Sequence, residues 1–92
     1  MEMCKNVKTR MLEFLYDLGN DYGRSRDGGI WISHNLTQSD IADLLGTSRK
    51  SASLCLNELE AEGLIQFDRK HIFLVHPQKL SQLISNNREQ NS

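Results

Sequence analysis

Apolar residues return at helical spacing along the first part of the chain. Val7, Met11, Phe14, Leu15 and Leu18 share one face, and Leu12 widens the stripe. Gly19 followed by Asn20 is a stop signal, so a first helix is predicted from about Asn6, or upstream of it, to Leu18. Met1, Met3 and Cys4 extend the apolar pattern upstream. Asp21 to Gly29 is polar and glycine-rich, which predicts a mobile loop carrying Arg24 and Arg26 as solvated charges. Ile30, Trp31 and Ile32 then form a short strand.

The segment from Leu36 to Gly46 opens with Thr37 as a cap for the orphan amides and Asp40 at the reciprocal capping-box position. Leu36 and Ile41 are spaced for a hydrophobic staple across that cap. Ile41, Leu44 and Leu45 are the expected buried face, Ala42 is small enough for another helix to approach, and Gly46 ends the element. Only Thr47 and Ser48 intervene before the next helical pattern. A gap that short makes two helices cross steeply, as in a helix-turn-helix. Ser48 caps the second helix, which starts at Arg49, buries Ala52, Cys55, Leu56 and Leu59, and stops at Gly63.

After Gly63 the period changes. Leu64, Ile65 and Phe67, the polar turn Asp68–His71 and the run Ile72–Val75 predict a β-hairpin, without an Asn-Gly or Asp-Gly pair in that turn to fix its register. Pro77 closes the strand, and Gln78–Ile84 reads as a short last helix with Leu80 and Leu83 or Ile84 inward. A polar, disordered tail is expected from Asn86. The order predicts an α+β fold. It is a winged helix-turn-helix with a three-helix core, a small antiparallel sheet (the wing) and a short C-terminal helix, one domain over residues 1–85. The Ile30–Ile32 strand would join the edge of the hairpin as a third strand.

Composition narrows the function. A chain of 92 residues with 38% apolar content supports one core. A formal net charge of −1 argues against a protein that coats nucleic acid by bulk charge, so the placement of charge matters more than its sum. Cys4 and Cys55 have neither metal-ligand spacing nor a Cys-x-x-Cys form, and read as reduced thiols of a cytoplasmic domain. No signal peptide or membrane span is visible. His34, His71 and His76 lack ligand spacing, and Asp40, which shares a face with Asp43, is accounted for by capping. With no phosphate-cradling glycine loop and no nucleophile elbow, no enzyme, cofactor or metal is expected.

The informative anomaly is the charge order from Arg49 to Glu62. Acidic residues favour the start of a helix and basic residues its end, yet Arg49 and Lys50 lead here while Glu58, Glu60 and Glu62 trail. Such a positive front end suits a negative partner, and the second helix of this motif enters the major groove by its leading residues. Arg49, Lys50, Ser53 and Leu54 are the candidate base contacts: the cations for guanine or phosphate, the hydroxyl for a base edge, the leucine for a thymine methyl. Thr37, Gln38, Ser39, Ser48, Asn57, Arg69 and Lys70 are the candidate phosphate contacts. A protein-interaction module on the same scaffold is the alternative, motivated by the net acidity, the glutamate cluster and the leucine at position 54; a degenerate remnant that still folds is a third.

The segments KTRMLEFLYDLGNDYG, ISHNLTQSDIADLLGTSRKSASLCLNELEAEGLI and HIFLVHPQKLSQL together resemble the C-terminal DNA-binding domain of the Crp/Fnr superfamily of bacterial transcription regulators, from about Lys8 to Leu83. The resemblance implies binding to palindromic promoter DNA as a dimer, self-association through an upstream helix just before Lys5–Arg10, and RNA polymerase as a candidate partner. It also implies that an N-terminal effector-sensing β-roll is missing here, through excision of the domain or a truncated reading frame, with a free-standing protein as the alternative. No cyclic nucleotide, haem or iron–sulfur sensing is carried over. The family's usual Arg-Glu-Thr-Val-Ser-Arg becomes Arg49, Lys50, Ser51, Ala52, Ser53 and Leu54. Lys50 replaces an acid that often accepts from cytosine, and Leu54 an arginine that often reads guanine, so an altered half-site is expected.

Overall fold

A computed structural model describes the backbone of residues 2–90 and the side chains of residues 7–86. Its elements run α1 (Glu2–Tyr22), β1 (Arg24–Arg26), β2 (Gly29–Ser33), α2 (Gln38–Leu45), α3 (Arg49–Ala61), β3 (Ile65–Phe67), β4 (His71–Leu74) and α4 (Pro77–Gln90). The winged helix order holds, with one strand more than expected. Met11, Leu12 and Leu15 of α1, Ala52, Leu56 and Leu59 of α3, and Ile32, Ile72 and Leu74 of the sheet meet in one core, and no polar side chain among the described residues is buried with them.

The first correction concerns the end of α1, which passes Gly19 and continues to Tyr22. Gly19 lies beneath the sheet, where a Cβ would stand 2.9 Å from Leu74 Cδ1 and 3.4 Å from Ile30 Cγ2. The glycine therefore serves close packing of sheet on helix, and the helix ends where the Gly23 amide donates to the Gly19 carbonyl at 2.9 Å.

The second correction follows from the first. The expected loop from Asp21 to Gly29 contains the strand β1, paired antiparallel with β2 in the register Arg24↔Trp31, Ser25↔Ile30 and Arg26↔Gly29. Asp27 and Gly28 form the two-residue connection, with φ of 51° and 81°. Positive φ at both central residues matches the right-handed twist of the flanking strands, and Asp-Gly is a preferred pair for it. Strand β2 is consequently interior to a four-stranded sheet of order β1-β2-β4-β3, held against β4 by Trp31↔Phe73 and Ile32↔Ile72.

Strands β3 and β4 pair as the expected hairpin, with Ile65↔Leu74 and Phe67↔Ile72. Asp68 closes the turn that lacked a glycine signal. Its amide donates to His71 O at 2.9 Å, while its carboxylate accepts from the amides of Lys70 (2.9 Å) and His71 (2.8 Å). Those two amides hold the Asp68 carboxyl below the usual carboxylate range.

Both motif helices start as predicted. Thr37 Oγ1 accepts from the Asp40 amide and Asp40 Oδ2 from the Thr37 amide, each at 3.0 Å, which completes the capping box. Gly46 takes the left-handed conformation at φ 70° that ends α2. Leu44, expected inside, is 62% exposed, whereas Ile41, Ala42 and Leu45 are buried. At about 100° per residue those three span one arc, and Leu44 points about 110° from its centre. On α3, Ala52, Cys55, Leu56 and Leu59 are buried as expected, and the Leu64 amide closes the exit by donating to Leu59 O at 3.0 Å. The last helix buries Leu80 and Ile84, and the polar tail expected from Asn86 is helical as far as Gln90.

Candidate nucleic-acid interface

The two ends of α3 have different tertiary surroundings. At its acidic end, Lys8 of α1 donates to Glu62 at 2.8 Å and approaches Glu58 to 4.0 Å. The hydrogen bond to Glu62 raises the Lys8 pKa against the opposing effect of burial. Glu60 accepts from the Phe67 amide at 3.5 Å, so this end ties α3 to α1 and to the wing. The glutamates that motivated a protein-docking surface thus have internal work. At the front end, Arg49 and Lys50 are exposed and belong to no ion pair among the described residues. Ser48 Oγ accepts from the Ser51 amide at 3.1 Å, so the start of the helix is fixed beneath these cations.

Around that front end, a cleft of about 650 Å³ gathers Thr37 and Gln38 of α2, Arg49 of α3 and Arg69 of the wing. These residues come from three separate places in the sequence. Ser39, Ser48, Lys50, Leu54 and Asn57 are exposed outside the cleft lining, and Leu54 is 49% exposed. Lys70 is exposed beside Arg69, and its carbonyl accepts from the His34 amide at 2.8 Å, which anchors the wing to the strand leading into α2. Ser53 and Gln38, expected to touch a base and a phosphate respectively, are hydrogen-bonded to each other: Ser53 Oγ donates to Gln38 Oε1.

Several roles are absent from the sequence reading. Arg10 Nη1 donates to Leu45 O at 3.0 Å and so covers the end of α2 from α1. His34 Nδ1 accepts from the Leu36 amide at 3.1 Å, its Nε2 is buried with no hydrogen-bond partner among the described residues, and burial pushes its pKa below the ordinary histidine value. Arg26, expected as a solvated loop charge, lies 4.9 Å over the Trp31 ring. Trp31 also stands 4.8 Å from the His71 ring and 6.1 Å from that of Phe73. The spacing rule for paired strands could have found this cluster, had Asp27-Gly28 been read as a hairpin turn. Among the described residues no three His, Cys, Asp or Glu side chains group as a metal site, and no helix is long and apolar enough to cross a membrane.

Two capped helices joined by Gly46–Ser48 and followed by a hairpin define a winged helix-turn-helix domain. The chain matches the profile of the Crp-like helix-turn-helix domain over residues 9–83 and belongs to that family, within the Crp/Fnr superfamily, whose helix-turn-helix domains generally bind DNA in transcription regulation and are not enzymes. It is similar to the CRP-like cAMP-activated global transcriptional regulator of Mycobacterium tuberculosis, with 28% identity over 76 residues, covering 83% of this chain and 34% of that protein. It is 31% identical over 81 residues to the global nitrogen regulator of Synechococcus elongatus, covering 88% and 36% respectively. The CO-dependent transcription factor CooA from Carboxydothermus hydrogenoformans superposes with a TM-score of 0.80 at 30% identity, over 87% of this chain and 37% of that one. The chain thus spans about a third of the length of these relatives.

Proposed function

We propose that the domain binds double-stranded DNA sequence-specifically to regulate transcription, with α3 in the major groove. Arg49, Lys50, Ser53 and Leu54 face base edges; Thr37, Gln38, Ser39, Ser48, Asn57, Arg69 and Lys70 hold the two phosphate backbones. The observation that carries this reading is the front of α3, where Arg49 and Lys50 stand exposed and, among the described residues, in no ion pair, and where Arg49 shares a cleft with the capped start of α2 and with Asp68 and Arg69 of the wing. A phosphate approaching there meets positive side chains and the positive end of a helix dipole together.

The protein acts as a dimer in the cytoplasm on a palindromic site, its two recognition helices about 34–36 Å apart, with RNA polymerase as a further contact. Two of the named relatives are a transcriptional regulator and a transcription factor, which supports a role in transcription. The second reading, a protein-interaction module, draws on exposed Leu44 and Leu54. Titration against a randomised duplex pool at low salt separates the two. Enrichment of a defined sequence is expected; no enrichment, together with a stable complex with a protein partner, would favour the second reading.

A further inference from the structure

We infer that Gln38 is a positioning residue that makes Ser53 a hydrogen-bond acceptor toward the duplex, so that the base facing Ser53 is adenine or cytosine. The inference rests on the DNA-binding reading above and sharpens it to a chemical preference at one position.

A serine hydroxyl has one hydrogen and two lone pairs, and when free to rotate it serves a donor or an acceptor equally. Here its single hydrogen is directed to Gln38 Oε1. What Ser53 can still offer is its lone pairs. In the major groove the groups that donate to an acceptor are adenine N6 and cytosine N4, whereas guanine presents N7 and O6 and thymine presents O4, all acceptors. A serine without a constraint is the least selective of the polar readers; this one is restricted.

Both residues are held at their backbones. Gln38 is the first residue of α2, and the capping box between Thr37 and Asp40, with both bonds at 3.0 Å, fixes the backbone on either side of it. Ser53 sits one turn into α3, next to Ala52, which is fully buried. Both polar side chains are half-buried, so their bond bridges the two helices where solvent competes less. The arrangement also leaves both amide hydrogens of Gln38 free for a phosphate, so one side chain can fix the reading hydroxyl and hold the backbone.

The test is selection of duplexes from a randomised library by the whole chain and by Ser53→Ala, Gln38→Ala and Gln38→Glu, each first shown to melt cooperatively. Ser53→Ala should flatten one position and so locate it. There the unaltered protein should prefer a base with its amino group over the same base without it (adenine over purine, or cytosine over pyrimidin-2-one) by about fivefold more than Ser53→Ala does, the worth of one neutral hydrogen bond. Gln38→Ala releases the hydroxyl and should bring that preference close to unity. Gln38→Glu still accepts from the hydroxyl and should keep the preference at lower overall affinity. No such amino-group preference on either strand, as an amide turned the other way would produce, overturns the inference while leaving DNA reading intact. So does a preference that survives Gln38→Ala, or a Ser53→Ala variant that flattens no position. Failure to enrich any sequence overturns the DNA-binding reading and the inference with it.

Discussion

Replacing Arg69 and Lys70 of the wing together by alanine isolates the electrostatic part of the proposed interface. Both side chains are exposed, and neither belongs to an ion pair among the described residues. The turn that carries them is closed by Asp68 and by backbone bonds, including His34 N to Lys70 O at 2.8 Å, which the substitutions leave in place. The wing should therefore keep its shape while losing two positive charges. Each phosphate contact contributes about 0.9 to the slope of log affinity against log salt, so the double variant should flatten that slope by about 1.8 for each chain bound. Between 50 and 200 mM salt, that makes its loss of affinity about 12-fold smaller than that of the unaltered protein for each chain bound. Fluorescence anisotropy of a labelled duplex across that range reads the slope directly. The loss at low salt should be the same on selected and random duplexes, because phosphates carry no sequence. An unchanged slope would refute the placement of the wing on the backbone, and a loss confined to the selected duplex would mean that the wing reads bases.

Three further outcomes test the scaffold. Thr37→Ala removes the side-chain half of the capping box and should lower stability by about 1 kcal/mol in urea denaturation. Gly29→Ala places a Cβ 2.3 Å from the Leu74 carbonyl oxygen, in the interior of the sheet, and should cost about 1–3 kcal/mol, read as a lower melting temperature. His34, held below its usual pKa chiefly by burial, favours the folded state when neutral. Its contribution is complete above the ordinary histidine value of 6.5 and is lost as pH falls from there through the lowered folded-state value, so stability should decline on acidification below 6.5. His34→Asn, which offers another acceptor for the Leu36 amide, should make that decline shallower.

The helix-turn-helix was legible because its signals are local. The Thr37–Asp40 box, Gly46 and Ser48 each act within four residues, and the structure keeps all of them. The errors arose where a residue answers to a distant partner. Gly19 looked like a helix stop, but its missing side chain makes room for Leu74, far along the chain. Leu44 matched the helical period, yet an eight-residue helix packed on one side buries only the arc of Ile41, Ala42 and Leu45. The hairpin at Asp27-Gly28 carried a local signal that the density of polar residues masked. For the interface, the charge order on α3 pointed to its front end. That Lys8 would engage Glu58 and Glu62 at the other end, or that Gln38 would bond Ser53, depends on how the helices cross, which no spacing rule gives.

The most direct measurement compares Arg49→Ala with the unaltered chain on a selected duplex and on a random one of equal length. If the front of α3 lies in the major groove, the selected duplex should lose more, by about 5- to 150-fold, and the preference at one base pair should relax. Equal losses on both duplexes would reduce Arg49 to a phosphate contact and contradict the assignment of α3 as the reading helix.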